Sequence, residues 1–582
     1  MSCSELCLVS ASRAAVAAWL LGASAWHLSA HAQNAEDLQR RSQDEQRRQQ
    51  EREKARELNR PAPDVKLGAP AADAIRRYEQ EEKPCFQISR IQLVGTGAQE
   101  FSWLASHEDG RGLLPEADPM VGRCLGVLGI QQILTRLQGA LIARGYVTTR
   151  VMVEPQALQT GVLKIAVLRG CVESIVWDPQ GGRRGSRWNT VPVTPGETLR
   201  LQDIEQALEN YRRVPTADAD IQIAPGMEPG SSVLRVRHQQ GFPFRLGVTL
   251  DDSGSRSTGK LQASVTFSYD NWWTLSDMAY LAVSRAVGDR EPGRRGNGGV
   301  VWHYSVPMGY WLLSSTISDG TYHQEVSGLS QTYEYSGVNR SVELKAAKVV
   351  LRDVSSKTMA SVKVFRRSSN NFIDDTEVEV QRRVVAGLEW GVNHRRAGES
   401  GWSVDASLNF RHGTGALDAM RAPEERFGEG TSRMRLWSAE MSVQTPVGPR
   451  DQALKYSAQW RGQWEQRPLV PQDMFSLGSR YTVRGFDGRS TLQADRGWLL
   501  RQELSKSLSG GVQQAYLALD GGHVIQRAGR PLSGSTLVGA ATGLRGQWRG
   551  VQFDMFAGMP LRKPQRFETA PYTLGFSLSA GS

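Results

Sequence analysis

From Phe242 onward apolar and polar side chains alternate one for one, and the pattern returns in segment after segment toward the C-terminus. Phe244, Leu246, Val248 and Leu250 alternate with Arg245, Gly247 and Thr249. Leu261, Ala263, Val265, Phe267 and Tyr269 alternate with Gln262, Ser264, Thr266, Ser268 and Asp270. The same holds for Val384, Ala386, Leu388, Trp390 and Val392, for Leu454, Tyr456, Ala458 and Trp460, and for Tyr572, Leu574, Phe576 and Leu578. A period of two sends successive side chains to opposite faces of a strand. Segments of about ten residues with one apolar and one polar face are the pattern of a transmembrane β-barrel. A soluble sandwich also alternates. The barrel is favoured by persistence of the pattern with no helix between segments, and by Trp272, Trp273, Trp302, Tyr310 and Trp311 near strand ends, where an interfacial girdle belongs. Counting strands between Phe244 and Ala580 gives about sixteen, enough for a water-filled lumen.

The N-terminus is consistent with export. An apolar run at 14–21 follows Arg13, and Ala30-His31-Ala32 supplies a small-x-small cleavage pattern, so residues 1–32 read as a signal peptide. No run of eighteen apolar residues follows, and mean hydropathy is −0.41, so no transmembrane helix is expected. Only helices and closed barrels satisfy their backbone hydrogen bonds in lipid. The net charge of +10 is spread along the chain and does not form a nucleic-acid footprint. Cys3 and Cys7 would leave with the signal peptide. Of the other three, Cys85 and Cys124 fall in one expected small domain and are the candidate disulfide in an oxidising compartment. Cys171 would be the odd thiol; three free thiols is the alternative.

Residues 33–59 are dense in Arg, Glu and Gln, with opposite charges three or four apart (Asp37/Arg41, Asp44/Arg48, Glu53/Arg56). This suits a solvated helix without a buried face, or else a disordered tail. Pro61, Pro63, Gly68 and Pro70 mark a linker over 60–83. Two strand–helix–strand–strand modules follow at 84–169 and 170–240, ahead of the barrel at 241–582. The first has a strand at 86–94, a helix at 127–143 with Ile130, Leu134, Leu137 and Leu141 on one face, and strands at 148–153 and 161–168. The second has a strand at 172–177, a helix at 201–214 with Leu201, Ile204, Leu208 and Tyr211 on one face, and strands at 220–223 and 232–236.

Residues 475–488 break the alternation, with glycines at both ends of a short motif, and suit a loop folded back on itself; an ordinary surface hairpin is the alternative. Arg484 is its one strongly placed cation. Downstream, Ala515, Leu517 and Leu519 share a parity, which puts Asp520 on the opposite, lumen-facing side of its strand. A carboxylate there needs water or a cation, and an arginine on an inward loop would supply a charge-assisted pair.

Val483-Arg484-Gly485-Phe486 resembles the VRG(F/Y) loop motif of the outer-membrane assembly and secretion superfamily that includes BamA. Two modules rather than five, behind a charged N-terminal helix and a Pro-containing linker, resemble the two-partner secretion transporters (the TpsB family, FhaC- and ShlB-like). Cys85-Phe86-Gln87-Ile88, Arg144-Gly145-Tyr146-Val147 and Pro225-Gly226 with Pro229-Gly230 resemble that family's POTRA sequences. The resemblance covers nearly all of the mature chain. It implies a sixteen-stranded barrel whose VRGF loop enters the lumen, with Arg484 paired to Asp520, and an N-terminal helix that plugs the pore at rest. It also implies periplasmic POTRA domains that capture an unfolded exoprotein with an N-terminal secretion domain, surrounding outer-membrane lipid, and insertion by the barrel-assembly machinery. Family barrels often end in an aromatic residue; here Phe576 is the nearest aromatic to Ser582.

The alternative within the superfamily is an assembly factor that inserts other barrels. An enzyme is disfavoured: the nine histidines lack metal-ligand spacing, no Gly-x-Ser-x-Gly elbow occurs, and Glu424-Glu425 suits solvated charge. No cofactor or metal is expected. A passive porin would have no use for docking modules and a plug.

Overall fold

The computed structural model describes residues 65–67, 82–104 and 121–581, apart from short interruptions at 180, 183, 256, 289–294, 328–330, 449–453, 509–511 and 528–533. The expected signal peptide and plug helix lie outside the described residues.

In the first module Val162–Leu168 is the central strand, parallel to Arg90–Val94 and antiparallel to Arg150–Met152. Its alternation buries Leu163, Ile165 and Val167 against the helix Val127–Ala143. The helix face is centred on Ile133, Leu137, Ala140 and Leu141, about one residue round from the expected stripe; Ile130 and Leu134 pack only at its border. The helix ends where Gly145 turns left-handed (φ 90°). Tyr146 N–H then donates to the Leu141 carbonyl and Gly145 N–H to that of Ile142, closing a Schellman motif. Cys85 and Cys124 form a disulfide with Cα atoms 5.3 Å apart, and Cys171 is a free thiol.

The second module repeats the plan. Ser231–Gln240 lies between parallel Cys171–Trp177 and antiparallel Ala217–Pro225. The helix Leu201–Arg212 buries Ile204, Ala207, Leu208 and Tyr211 against Val172, Leu234 and Val236. Both later strands are longer than the apolar pattern alone suggests, because polar positions such as Asp218 and Gln239 also pair across the ladder. Val65 and Leu67, read from sequence as linker, pack into this core.

Sixteen antiparallel strands close the barrel, running from Phe244–Asp251 through to Thr573–Gly581; a two-residue segment, Thr376–Glu377, also pairs on the end of Ser356–Ile373. Leu246, Val248, Val265, Phe267, Leu517 and Leu519 are exposed on the outside, as a lipid-facing belt requires, whereas Gln262, Ser264, Ser268, Tyr516 and Asp520 are buried within. The closing seam is short: five residue pairs join Gly247–Asp251 to Ser577–Gly581. The C-terminal segment, Phe576 included, is this closing strand.

Candidate functional site

Between the strands Leu454–Glu465 and Arg496–Ser507 the chain leaves the wall for thirty residues, 466–495, and folds into the lumen. Phe475–Leu477 pairs with Leu492–Ala494, so the loop carries its own small hairpin stem. Its apolar side chains Phe475, Leu477, Val483, Phe486 and Leu492 form one buried cluster with the wall residues Leu499, Val524 and Leu537, and with Phe567. Phe486 meets Phe567 edge-on at 5.6 Å between ring centres. At the tip, Thr482 Oγ1 accepts from the Gly478 and Ser479 amides and donates to the Ser479 carbonyl. This fixes the turn that presents Val483 and Arg484.

The structure brings Arg484 and Asp520 together. Arg484 Nε donates to Asp520 Oδ2 at 2.7 Å and Nη2 to Oδ1 at 2.8 Å, a bidentate pair. The Arg484 amide also donates to Oδ2 at 2.9 Å, so the carboxylate holds backbone as well as side chain. Nη1 reaches Glu503 at 2.7 Å, Nη2 reaches the Gln502 carbonyl at 3.2 Å, and the guanidinium lies 5.9 Å from the Tyr516 ring centre. The Asp520 side chain is fully buried. Glycines allow the loop to approach this closely. Gly485 has φ 103°, and a Cβ there would clash with the Met559 carbonyl. A Cβ on wall residue Gly539 would strike the Arg484 carbonyl, and one on Gly558 would sit 2.9 Å from Gly485.

The lumen holds more than one ion pair, which corrects the sequence reading. Arg545 also binds Glu503, and Arg501 lies 3.7 Å from Asp520, so three cations share two acids around the Arg484 anchor. Two further anchors were missed. Asp473 of the loop is 3.3 Å from Arg367 and 3.7 Å from Arg411, on a different sector of wall. Arg480 binds Asp252, whose Oδ1 also accepts from the Phe576 amide at 2.9 Å; Arg480 reaches the Phe576 carbonyl as well. A signal existed for Arg501 and Glu503: Trp498, Leu500 and Leu504 share the other parity on their strand. Asp473 and Arg480 sit on the loop, where parity says nothing.

Among the described residues no group of His, Cys, Asp and Glu could hold a metal ion. The arrangement has neither a nucleophile–base pair nor an open acid pair; its charges are spent on one another and fasten a loop across a conduit.

Two small α/β modules ahead of a sixteen-stranded barrel with an anchored lumen loop define a POTRA-barrel transporter of the outer membrane. Comparisons with known proteins agree. The chain matches the family described as haemolysin secretion/activation protein ShlB/FhaC/HecB over residues 230–546, a ShlB-type POTRA domain over 86–170 and a second POTRA domain over 171–225. It belongs to that family. It is similar to the outer membrane transporter CdiB-2 of Burkholderia pseudomallei (34% identical, covering 89% of this chain and 90% of that one). It is also similar to the hemolysin transporter protein ShlB of Serratia marcescens (26% identical, 79% of each). The solved structure of CdiB from Acinetobacter baumannii superposes with a TM-score of 0.81 at 27% identity, covering 93% of this chain and 99% of that one. The chain is therefore an outer-membrane translocator of the two-partner secretion class, with its POTRA domains in the periplasm.

Proposed function

We propose that the two POTRA modules capture one unfolded partner exoprotein in the periplasm and that the barrel exports it without nucleotide hydrolysis. The observation that carries this reading is the lumen loop, fastened to Asp520 and Glu503 through Arg484 inside a wide barrel: a conduit with a fixed internal element rather than an open pore. Each module has strands flanking its central strand, Arg90–Val94 and Arg150–Met152 in the first, Cys171–Trp177 and Ala217–Pro225 in the second, where residues 196–198 already cover the start of Cys171–Trp177. An extended client adds to such an edge through main-chain hydrogen bonds. No phosphate-binding Gly-rich loop is evident in the sequence, so binding and folding of the client outside supply the drive. Residues 33–59, which lie outside the described residues, would close the lumen at rest and leave when a client engages. The client is a secreted exoprotein, as the hemolysin transporter relatives support; in this reading it carries an N-terminal secretion domain, and the barrel-assembly machinery inserts the chain among outer-membrane lipids.

The test removes residues 84–240 and measures secretion of a partner exoprotein with an N-terminal secretion domain. Loss of secretion, with the barrel still inserted and resistant to unfolding on semi-native gels, is expected. Normal secretion without the modules refutes client capture by them.

A further inference from the structure

The helix Leu201–Arg212 has two buried faces. One carries Ile204, Leu208 and Tyr211 into the module core. The other is polar: Asp203, Gln206 and Asn210, continued by Arg213, recur at steps of three, four and three, the spacing of a single helical stripe. That stripe meets the periplasmic turns of the barrel. Tyr310 donates to Asp203 Oδ1 at 2.5 Å; Asn210 donates to the Gly309 carbonyl at 2.8 Å and, within the module, to that of Thr190 at 2.8 Å; Arg213 donates to the Ser276 carbonyl at 3.0 Å and Ser305 Oγ at 2.7 Å. The module is thus mounted on the rim by polar contacts.

At one side of the mount stands Arg352, the last residue of the strand Thr332–Arg352, with its side chain only 4% exposed. Its guanidinium serves four acceptors on two separate parts of the chain. Nε reaches Glu205 at 3.3 Å; Nη1 reaches Gln206 at 2.9 Å and Glu209 at 2.8 Å. Nη2 reaches the carbonyl of Val65 at 2.7 Å. The other oxygen of Glu205 accepts from the Leu67 amide at 2.8 Å, and Lys357 on the next strand binds Glu209 at 2.7 Å. Two cations thus face two acids in a buried, balanced cluster joining three pieces: the barrel rim, the module helix and residues 65–67. A buried charge network of this kind is stable only when complete, because removing one member leaves its partner uncompensated.

We propose that Arg352 is a positioning residue that couples the linker to the seating of the second module: while the module is seated, residues 65–67 are held at the periplasmic mouth, and loosening the module from the rim releases them. This goes beyond translocation as such, giving the stretch ahead of the POTRA modules a fixed point set by where the second module sits. It holds whatever the client is.

The decisive variant is Glu209→Gln, because Glu209 touches Arg352 and Lys357, whereas residues 65–67 bond to Arg352, to Glu205 and, through Lys66 Nζ at 3.1 Å, to the Ser355 carbonyl of the rim. Hydrogen exchange of the full-length chain in detergent reads the Leu67 amide and the 201–212 amides separately, and a semi-native gel reads the barrel. Expected are at least tenfold faster exchange at Leu67 together with faster exchange in the helix, and an unchanged barrel midpoint. Arg352→Lys, which keeps the charge but lacks the planar fork, should protect the helix more than Leu67. A loosened helix with Leu67 exchange unchanged overturns the coupling. So does an unchanged Leu67 amide in Arg352→Ala. Because the readout is amide exchange and not secretion, it stands or falls independently of the translocator mechanism.

Discussion

Asp520→Ala is the sharpest perturbation of the lumen site, and its size follows from the geometry. The wild-type carboxylate accepts three hydrogen bonds from Arg484, two from the guanidinium and one from the amide, with its side chain fully buried. Three arginines and two acids share the cluster, so truncation leaves Arg484, Arg501 and Arg545 around Glu503 alone. Breaking a buried pair from one side costs ~3–5 kcal/mol. Glu503 keeps one contact to Arg484, so the low end applies: ~3 kcal/mol, or roughly 150-fold in the docking equilibrium of the loop tip. The Arg484 amide, bonded to Asp520 Oδ2, reports this directly by hydrogen exchange, and secretion should fall with it. Exchanging the two charges (Arg484→Asp with Asp520→Arg) should not restore docking. The new carboxylate would face Glu503, which lies 2.7 Å from the present guanidinium, and the new arginine would face Arg501. Less than tenfold faster exchange of the Arg484 amide in Asp520→Ala, or full rescue by the exchange, would refute this account.

Gly485→Ala should undock the tip as completely as Arg484→Ala, because the position combines φ 103° with a backbone carbonyl where the Cβ would go; wild-type exchange at Thr482 and Val483 would contradict this. In the second module, burial against Tyr211 and Trp177 lowers the pKa of His238 below its ordinary value. The unfolded state then binds a proton that the folded state does not, so module stability is full above about pH 6.5 and declines as pH falls below it. Amide protection of Ser231–Gln240 measured between pH 7.5 and 5 should show this slope, and His238→Phe should flatten it. Finally, Cys85→Ser with Cys124→Ser opens a loop spanning 39 positions, worth about 4 kcal/mol in the chain-entropy model. Protease sensitivity should rise within the first module while the barrel midpoint stays put, and equal resistance with and without the bond would count against it.

Strand parity made the barrel legible because a buried-or-lipid choice at every second residue leaves a mark on each segment separately. It put Asp520 inside, since Leu517 and Leu519 face out on the same strand. Legibility ended where polar residues are buried by something distant. Asp203, Gln206 and Asn210 have the composition of a solvated helix face, yet they are buried because the barrel rim covers them. Val65 and Leu67 sit among prolines and glycine, and nothing local says that they complete a core more than a hundred residues away. The one-residue rotation of the first helix has a similar origin. Ile133 and Ala140 are selected by the sheet beneath them, not by the strongest apolar spacing.

The loop anchors show what that kind of blindness hides. Arg480 finds Asp252 across 228 positions of sequence, so no local pattern could join them. Yet the three anchors together determine how the loop can move. Asp473 holds it to the strands Ser356–Ile373 and Ser403–Thr414, Arg484 to Arg496–Ser507 and Gln513–Ile525, and Arg480 to the end of the closing seam. Counted in chain order from Phe244–Asp251, these are the seventh and ninth, the twelfth and thirteenth, and the sixteenth meeting the first. The loop is therefore tied to separate sectors of wall. Losing one tie frees one end and leaves the others: ~3 kcal/mol removed at Asp520 lets the tip swing without emptying the lumen. In Asp520→Ala the Leu469 amide, held by Asp495 at 2.9 Å near the Asp473 anchor, should keep its protection while the Arg484 amide loses it.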